Sequence, residues 1–239
     1  MHAENIRTLV REHYFDGLAI IRVQDNFVTQ WGDPNDDDNG DKSQIKPLGS
    51  AKAKLPPEYT RTIDPKLPWT PLPDGDMYAP QVGFSEGFPA ARDPVPGREW
   101  LTHCYGMVGV ARDIPPDSGN GNSLYAVIGQ APRGLDRNLA IAGRVIEGMQ
   151  YLSGLPRGTG ALGFYTQASQ RLPIISVRLA ADIPPAEREN LQVLRTDSPT
   201  FAAIIEANRN RHDAFYTVPA GKIDLCNIEI PVRTLDIKR

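Results

Sequence analysis

The spacing of apolar residues changes several times along the chain, and each change marks an element. In residues 4–14 (ENIRTLVREHY), Ile6, Leu9, Val10 and Tyr14 recur at helical spacing, and Asp16-Gly17 supplies the stop. Residues 18–23 read as a strand, followed by a turn at Asp25-Asn26 and a second strand over residues 27–31. Further on, residues 102–110 (THCYGMVGV), 124–128 and 139–146 read as strands, and residues 148–152 as a short helix. Residues 174–179 alternate as a last strand of this block. Pro184-Pro185 marks a boundary. Beyond it, Ser198-Pro199 sets an N-cap with proline at the first helical position, and Phe201, Ile204 and Ile205 form that helix's apolar stripe. Residues 222–232 (KIDLCNIEIPV) alternate as a closing strand. No repeat of solenoid length is visible. Many short strands and few helices predict a mainly β chain, either a closed antiparallel barrel or a sandwich.

Two stretches depart from this pattern. Residues 34–98 hold 12 of the 22 prolines and an acidic tract, with little periodicity, which predicts a long, extended and partly mobile surface insertion. The other departure is Arg22, which interrupts the apolar run of Ile20, Ile21 and Val23. A fixed cation among buried strand positions needs a partner or a use. With Phe27 and Gln30 close by, the segment offers a cation, an aromatic face and a neutral amide. A site that grips a polar backbone and one apolar ring would want those three groups.

Composition narrows the classes. The net charge of −3 and a pI near 5.8 give no global field favouring nucleic acid or an anionic membrane surface. No apolar run approaches the roughly 20 residues of a membrane span. The start, MHAENIRTLVREHYF, carries acids and no apolar core segment, unlike a signal peptide. Cys104 and Cys226 lack metal-ligand spacing and fit either free thiols or a single bridge, half-buried thiols being the plainer reading.

Other chemistry finds little support. The tract DPNDDDNGD sets Asn35, Asp37 and Asn39 at alternate positions before Gly40, as a calcium loop does. No bidentate acid follows near residues 44–46, so a solvated acidic turn is expected. GLPRGTG, residues 154–160, lacks the lysine and hydroxyl of a phosphate loop. His2, His13, His103 and His212 accompany no Gly-x-Ser-x-Gly elbow, and His103 beside Cys104 on a strand would face the opposite way. Neither a metal nor a cofactor is expected.

The segment running from Ile20 to Asp33 resembles the pattern around the catalytic arginine of cyclophilin-type peptidyl-prolyl isomerases, Phe-His-Arg-Val-Ile-x-x-Phe-Met-x-Gln-x-Gly-Asp. Arg22, Val23, Phe27, Gln30, Gly32 and Asp33 match in register. GMVGVARD, NSLYAVIGQAPRGLDRNLAIAGRVIEGM and LPIISVRL resemble later blocks of the family in the same order. The resemblance implies an eight-stranded closed antiparallel barrel capped by two helices. In the family two strands precede the first helix, whereas this chain begins at that helix. Either the true start lies upstream, or the barrel is incomplete or closed by another segment such as residues 223–230. The implied layout is a cyclophilin-like domain over residues 1–181, carrying the insertion at 34–98, and a helical extension over 182–239 that ends in a strand.

The resemblance also implies roles. Arg22, Phe27 and Gln30 would be catalytic. Tyr125 and Leu135 would complete a proline pocket with Phe27, and Val108, Gly109 and Ser123 would contact substrate. Positions that usually hold His, Met, Asn, Gln, Trp and a second His hold Ile21, Val28, Gly109, Ser123, Gly134 and Leu139 here. The ring pocket is retained while several hydrogen-bonding groups are not. The implied activity is rotation about X-Pro bonds in proline-containing polypeptides, assisting folding, by a monomer with no nucleic-acid partner and no membrane span. The alternative reading is a cyclophilin-like module that binds such peptides with weak turnover. The chain as written reads as cytoplasmic, and a signal peptide upstream of it would make it periplasmic.

Overall fold

The computed structural model describes residues 1–36 and 40–235, so Asp37, Asp38 and Asn39 of the acidic tract lie outside the described residues. Three helices run His2–Arg11 (α1), Met149–Ser153 (α2) and Pro199–Arg209 (α3). The strands are Ala19–Val23 (β1), Val28–Gly32 (β2), Arg61–Thr62 (β3), Thr70–Leu72 (β4), Gln81–Ser85 (β5) and Phe88–Asp93 (β6). They continue with Arg98–Leu101 (β7), Met107–Val110 (β8), Leu124–Val127 (β9), Ile141–Arg144 (β10), Leu191–Val193 (β11) and Val232–Thr234 (β12). The chain divides into two units, Met1–Tyr59 with Tyr105–Glu189, and Thr60–Cys104 with Asn190–Arg239.

The first unit is built on an antiparallel sheet in the order β1-β2-β9-β8-β10. Leu9 and Val10 of α1 are buried with Tyr14, Phe15, Leu18, Val110, Leu124 and Ala140. Burial of each large apolar side chain contributes about 1.5–3 kcal/mol. Backbone of the chain's later part runs along the outer edge of β1, where Gly158 N–H donates to Val23 O at 2.9 Å and Tyr165 N–H to Ile21 O at 2.9 Å. Ile174 N–H donates to Leu18 O at 2.7 Å. The strand expected at residues 174–179 does not form. That segment bonds through Ile174 to Gly17 and Leu18, just ahead of β1, and packs Ile174, Val177 and Leu179 against the α1 cluster. The architecture is mainly β with antiparallel sheets, and among the described residues no hydrogen-bonded ladder closes them into the expected barrel.

The strand expected over residues 102–110 begins only at Met107, because Thr102–Cys104 belongs to the second unit and Gly106 turns the chain at φ 80°. In that unit the later part of the region read as an extended, partly mobile surface insertion supplies most of a second antiparallel sheet, β3-β7-β6-β5-β4. Its strands carry no alternation because the central ones are buried on both faces, with small residues such as Gly83, Ala90 and Ala91 in place of bulky ones. Phe201 of α3 meets Phe84 of β5 edge-on, with ring centroids 4.9 Å apart. As expected, Ser198 caps α3, its Oγ accepting from Phe201 N–H at 3.2 Å.

The closing strand expected near residues 223–230 is replaced by a tight turn. The Asp224 carboxylate accepts from Cys226 N–H at 2.8 Å and curls the backbone there. Leu225, Ile228 and Ile230 are buried all the same, and β12 pairs with β11 beyond them. Cys104 and Cys226 form a disulfide across 122 residues of chain, so of the two readings left open the single bridge holds and the plainer one, half-buried thiols, does not.

Candidate active site

Strand register brings the site together. Arg22 stands opposite Gln30, Gln30 opposite Tyr125, and Tyr125 opposite Gly109, so one row crosses β1, β2, β9 and β8. Residues directly opposite on antiparallel strands present their side chains to one face. Over that row lies a groove of about 530 Å³, lined by Arg22, Phe27, Gln30, Ser123, Tyr125 and Leu135 among others. Six of the eight sequence-predicted positions therefore share one depression.

Each is placed by its local structure. Phe27 follows Asn26, whose φ of 51° turns the β1–β2 hairpin, a conformation asparagine adopts more readily than most residues. Leu135 ends a short 3₁₀ turn, Ala131–Leu135, beside a buried ion pair in which Arg133 Nε donates to Asp136 at 2.9 Å. Burial raises the Tyr125 hydroxyl pKa above its usual range, so it stays protonated.

The other two positions lie elsewhere. A Cβ on Gly109 would sit 2.2 Å from the Tyr125 Cζ and Oη, so the tyrosine covers that backbone and the groove lining omits it. Val108, one residue along β8, faces the opposite side and packs against the α1 cluster.

Arg22 is half-buried, and burial lowers its pKa from the usual arginine value, although the group remains a cation. Its Nε donates to Leu162 O at 2.6 Å, Nη1 donates to Gln30 Oε1 at 3.2 Å, and Nη2 donates to Gln24 Oε1. The guanidinium carbon lies 5.3 Å from the ring centroids of both Phe27 and Phe164. Among the described residues no carboxylate pairs with it. Gln30 is oriented from its other end, its Nε2 donating to Ser123 Oγ at 3.1 Å and that hydroxyl donating to Trp31 O at 3.2 Å.

Sequence reasoning missed Gln24, Leu162 and Phe164. Gln24 was findable, since a residue two along a strand shares its neighbour's face. Leu162 lies 140 residues from Arg22, and no local signal links them. Among the described residues, no group of three or more His, Cys, Asp or Glu is placed to hold a metal, and no helix is long and apolar enough to cross a membrane.

No curated protein sequence matches the chain. The fold is similar to that of the crystal structure of cyclophilin AquaCyp293 from Hirschia baltica, with a TM-score of 0.72, 23% identity and coverage of 97% of this chain and 81% of that one. The model of the family "cyclophilin type peptidyl-prolyl cis-trans isomerase/CLD" matches residues 1–190. With most of its length matched, the chain belongs to the cyclophilin-type peptidyl-prolyl cis-trans isomerases, enzymes that act on proline-containing peptides.

Proposed function

We propose that the groove over β1, β2 and β9 is where this isomerase turns its substrate, with Arg22 as the catalytic group. An X-Pro bond resists rotation by ~18–20 kcal/mol because amide resonance stiffens the C–N bond. Twisting breaks that resonance and returns a lone pair to the imide nitrogen. A guanidinium N–H aimed at that nitrogen stabilises the twisted form and has little to bind in the planar one, and such differential binding accelerates the step. No bond is made or cleaved, and no proton changes owner.

In this reading Phe27, Tyr125 and Leu135 hold the pyrrolidine ring by apolar burial, and Gln30 bonds the substrate backbone. The observation that carries it is the cation itself, held in the groove by neutral acceptors and not by a carboxylate. The sheet corresponds in this reading to part of the family's barrel, with α1 and residues 174–179 packed into one apolar cluster against it. The covering of Gly109 by Tyr125 and the engagement of Ser123 within the protein favour a second reading, a peptide-binding module with weak turnover. A protease-coupled assay on a short X-Pro peptide separates the two. Clear acceleration over the uncatalysed rate is expected, and binding without acceleration would leave only the second reading.

A further inference from the structure

The three nitrogens of the Arg22 guanidinium each have their own acceptor, and only one of these, Gln30, belongs to the row that faces the substrate. The other two come from the end of β1 and from the loop that runs along it. Resting on the reading of Arg22 given above, we infer that Gln24 is a positioning residue for catalysis. Its side-chain amide, with the Leu162 carbonyl, fixes the guanidinium so that an N–H left over on a terminal nitrogen meets the substrate's imide nitrogen.

Gln24 lies two residues beyond Arg22 and reaches Nη2 with Oε1. The Leu162 carbonyl is brought to Nε by a left-handed backbone, φ 54°, at a residue type that rarely adopts it. Gly163, at φ 81°, follows. A Cβ there would lie 2.8 Å from Gln24 Cα and from Val23 O, so the loop passes flush against the end of β1. Gln24 thus acts twice, its backbone seating the loop that presents the Leu162 carbonyl and its side chain holding Nη2. Both acceptors are neutral. They fix the direction of the cation without cancelling its charge, as a glutamate in the same place would do.

The test compares Gln24→Met, which keeps length and loses the acceptor, in the wild-type and Arg22→Ala backgrounds. Enzyme concentration is raised so that the slower rates stay measurable. With an X-Pro peptide, kcat should fall about tenfold or more, the worth of one hydrogen bond to a charged group. KM and peptide Kd should hold, and the same substitution should change nothing once Arg22 is alanine. Gln24→Glu should lower kcat as well, by drawing the cation into a pair. An unchanged kcat in Gln24→Met, or an equal fractional loss with and without Arg22, overturns the inference and leaves the role of Arg22 standing. Wild-type kcat in Arg22→Ala alone overturns both.

Discussion

Arg22 in the first unit and Arg92 in the second both sit within antiparallel sheets among apolar neighbours, and the fold treats them in opposite ways. Arg92 of β6 is nearly buried, donates from Nε to Glu99 at 2.8 Å, and lies 4.0 Å over the Trp69 ring. Glu99 of β7 is itself buried and also takes Arg61. Arg22 has rings and acceptors too, but each acceptor is an amide or carbonyl oxygen. A carboxylate satisfies a guanidinium and cancels its charge, whereas a neutral oxygen fixes its direction and leaves the charge for a ligand. Arg92 is spent on the fold. Arg22 keeps its charge uncancelled, as the proposed role in turning a substrate requires.

The contrast can be broken from either side. The largest effect is expected from Glu99→Ala, which strands Arg92 without its countercharge. Losing one partner of a buried pair costs about 3–5 kcal/mol, so the thermal midpoint should drop sharply while kcat per folded molecule holds. Next comes Gln30→Glu, which would make Arg22 resemble Arg92. Steady-state kinetics should show kcat reduced about tenfold, equivalent to ~1.4 kcal/mol, with no loss of melting temperature.

The smallest effect concerns Asp16, which ties residues 177–178 to the turn after α1. A hydrogen bond from Val177 N–H, aided by Arg178 and His13, outweighs burial and holds its carboxyl down to about 2. A free aspartate titrates near ~3.9, so this contribution is complete above that pH and is lost as pH falls toward 2. Urea midpoints measured across that range should decline in the wild type and decline less steeply in Asp16→Asn, the remainder coming from other carboxylates held low, such as Glu58 and Asp74.

What the sequence revealed differs between the same two units. Around Arg22 two short strands flank a turn with Asp25-Asn26, and the closeness of Arg22, Phe27 and Gln30 in sequence already suggested their chemistry. In the second unit the strands are two to six residues long, two-sided in burial, and interspersed with Pro71 and Pro89, so period and composition both argued for a loop. Its sheet rests on Glu99 holding two arginines and on Cys104 meeting Cys226, contacts between residues far apart in sequence. At the site, the family resemblance pointed to Gln30, Tyr125 and Val108 alike; the first two line the groove, whereas Val108 packs with the α1 cluster.

The central claim is that Arg22 acts on the rotating bond and does more than hold the peptide. NMR exchange on an X-Pro peptide at saturating enzyme measures cis–trans interconversion and binding in one sample. For Arg22→Ala, the exchange rate should fall about 10²–10³-fold, the scale seen when a transition-state donor is removed, with peptide affinity nearly unchanged. An exchange rate equal to wild type, with the peptide still bound, would contradict the account.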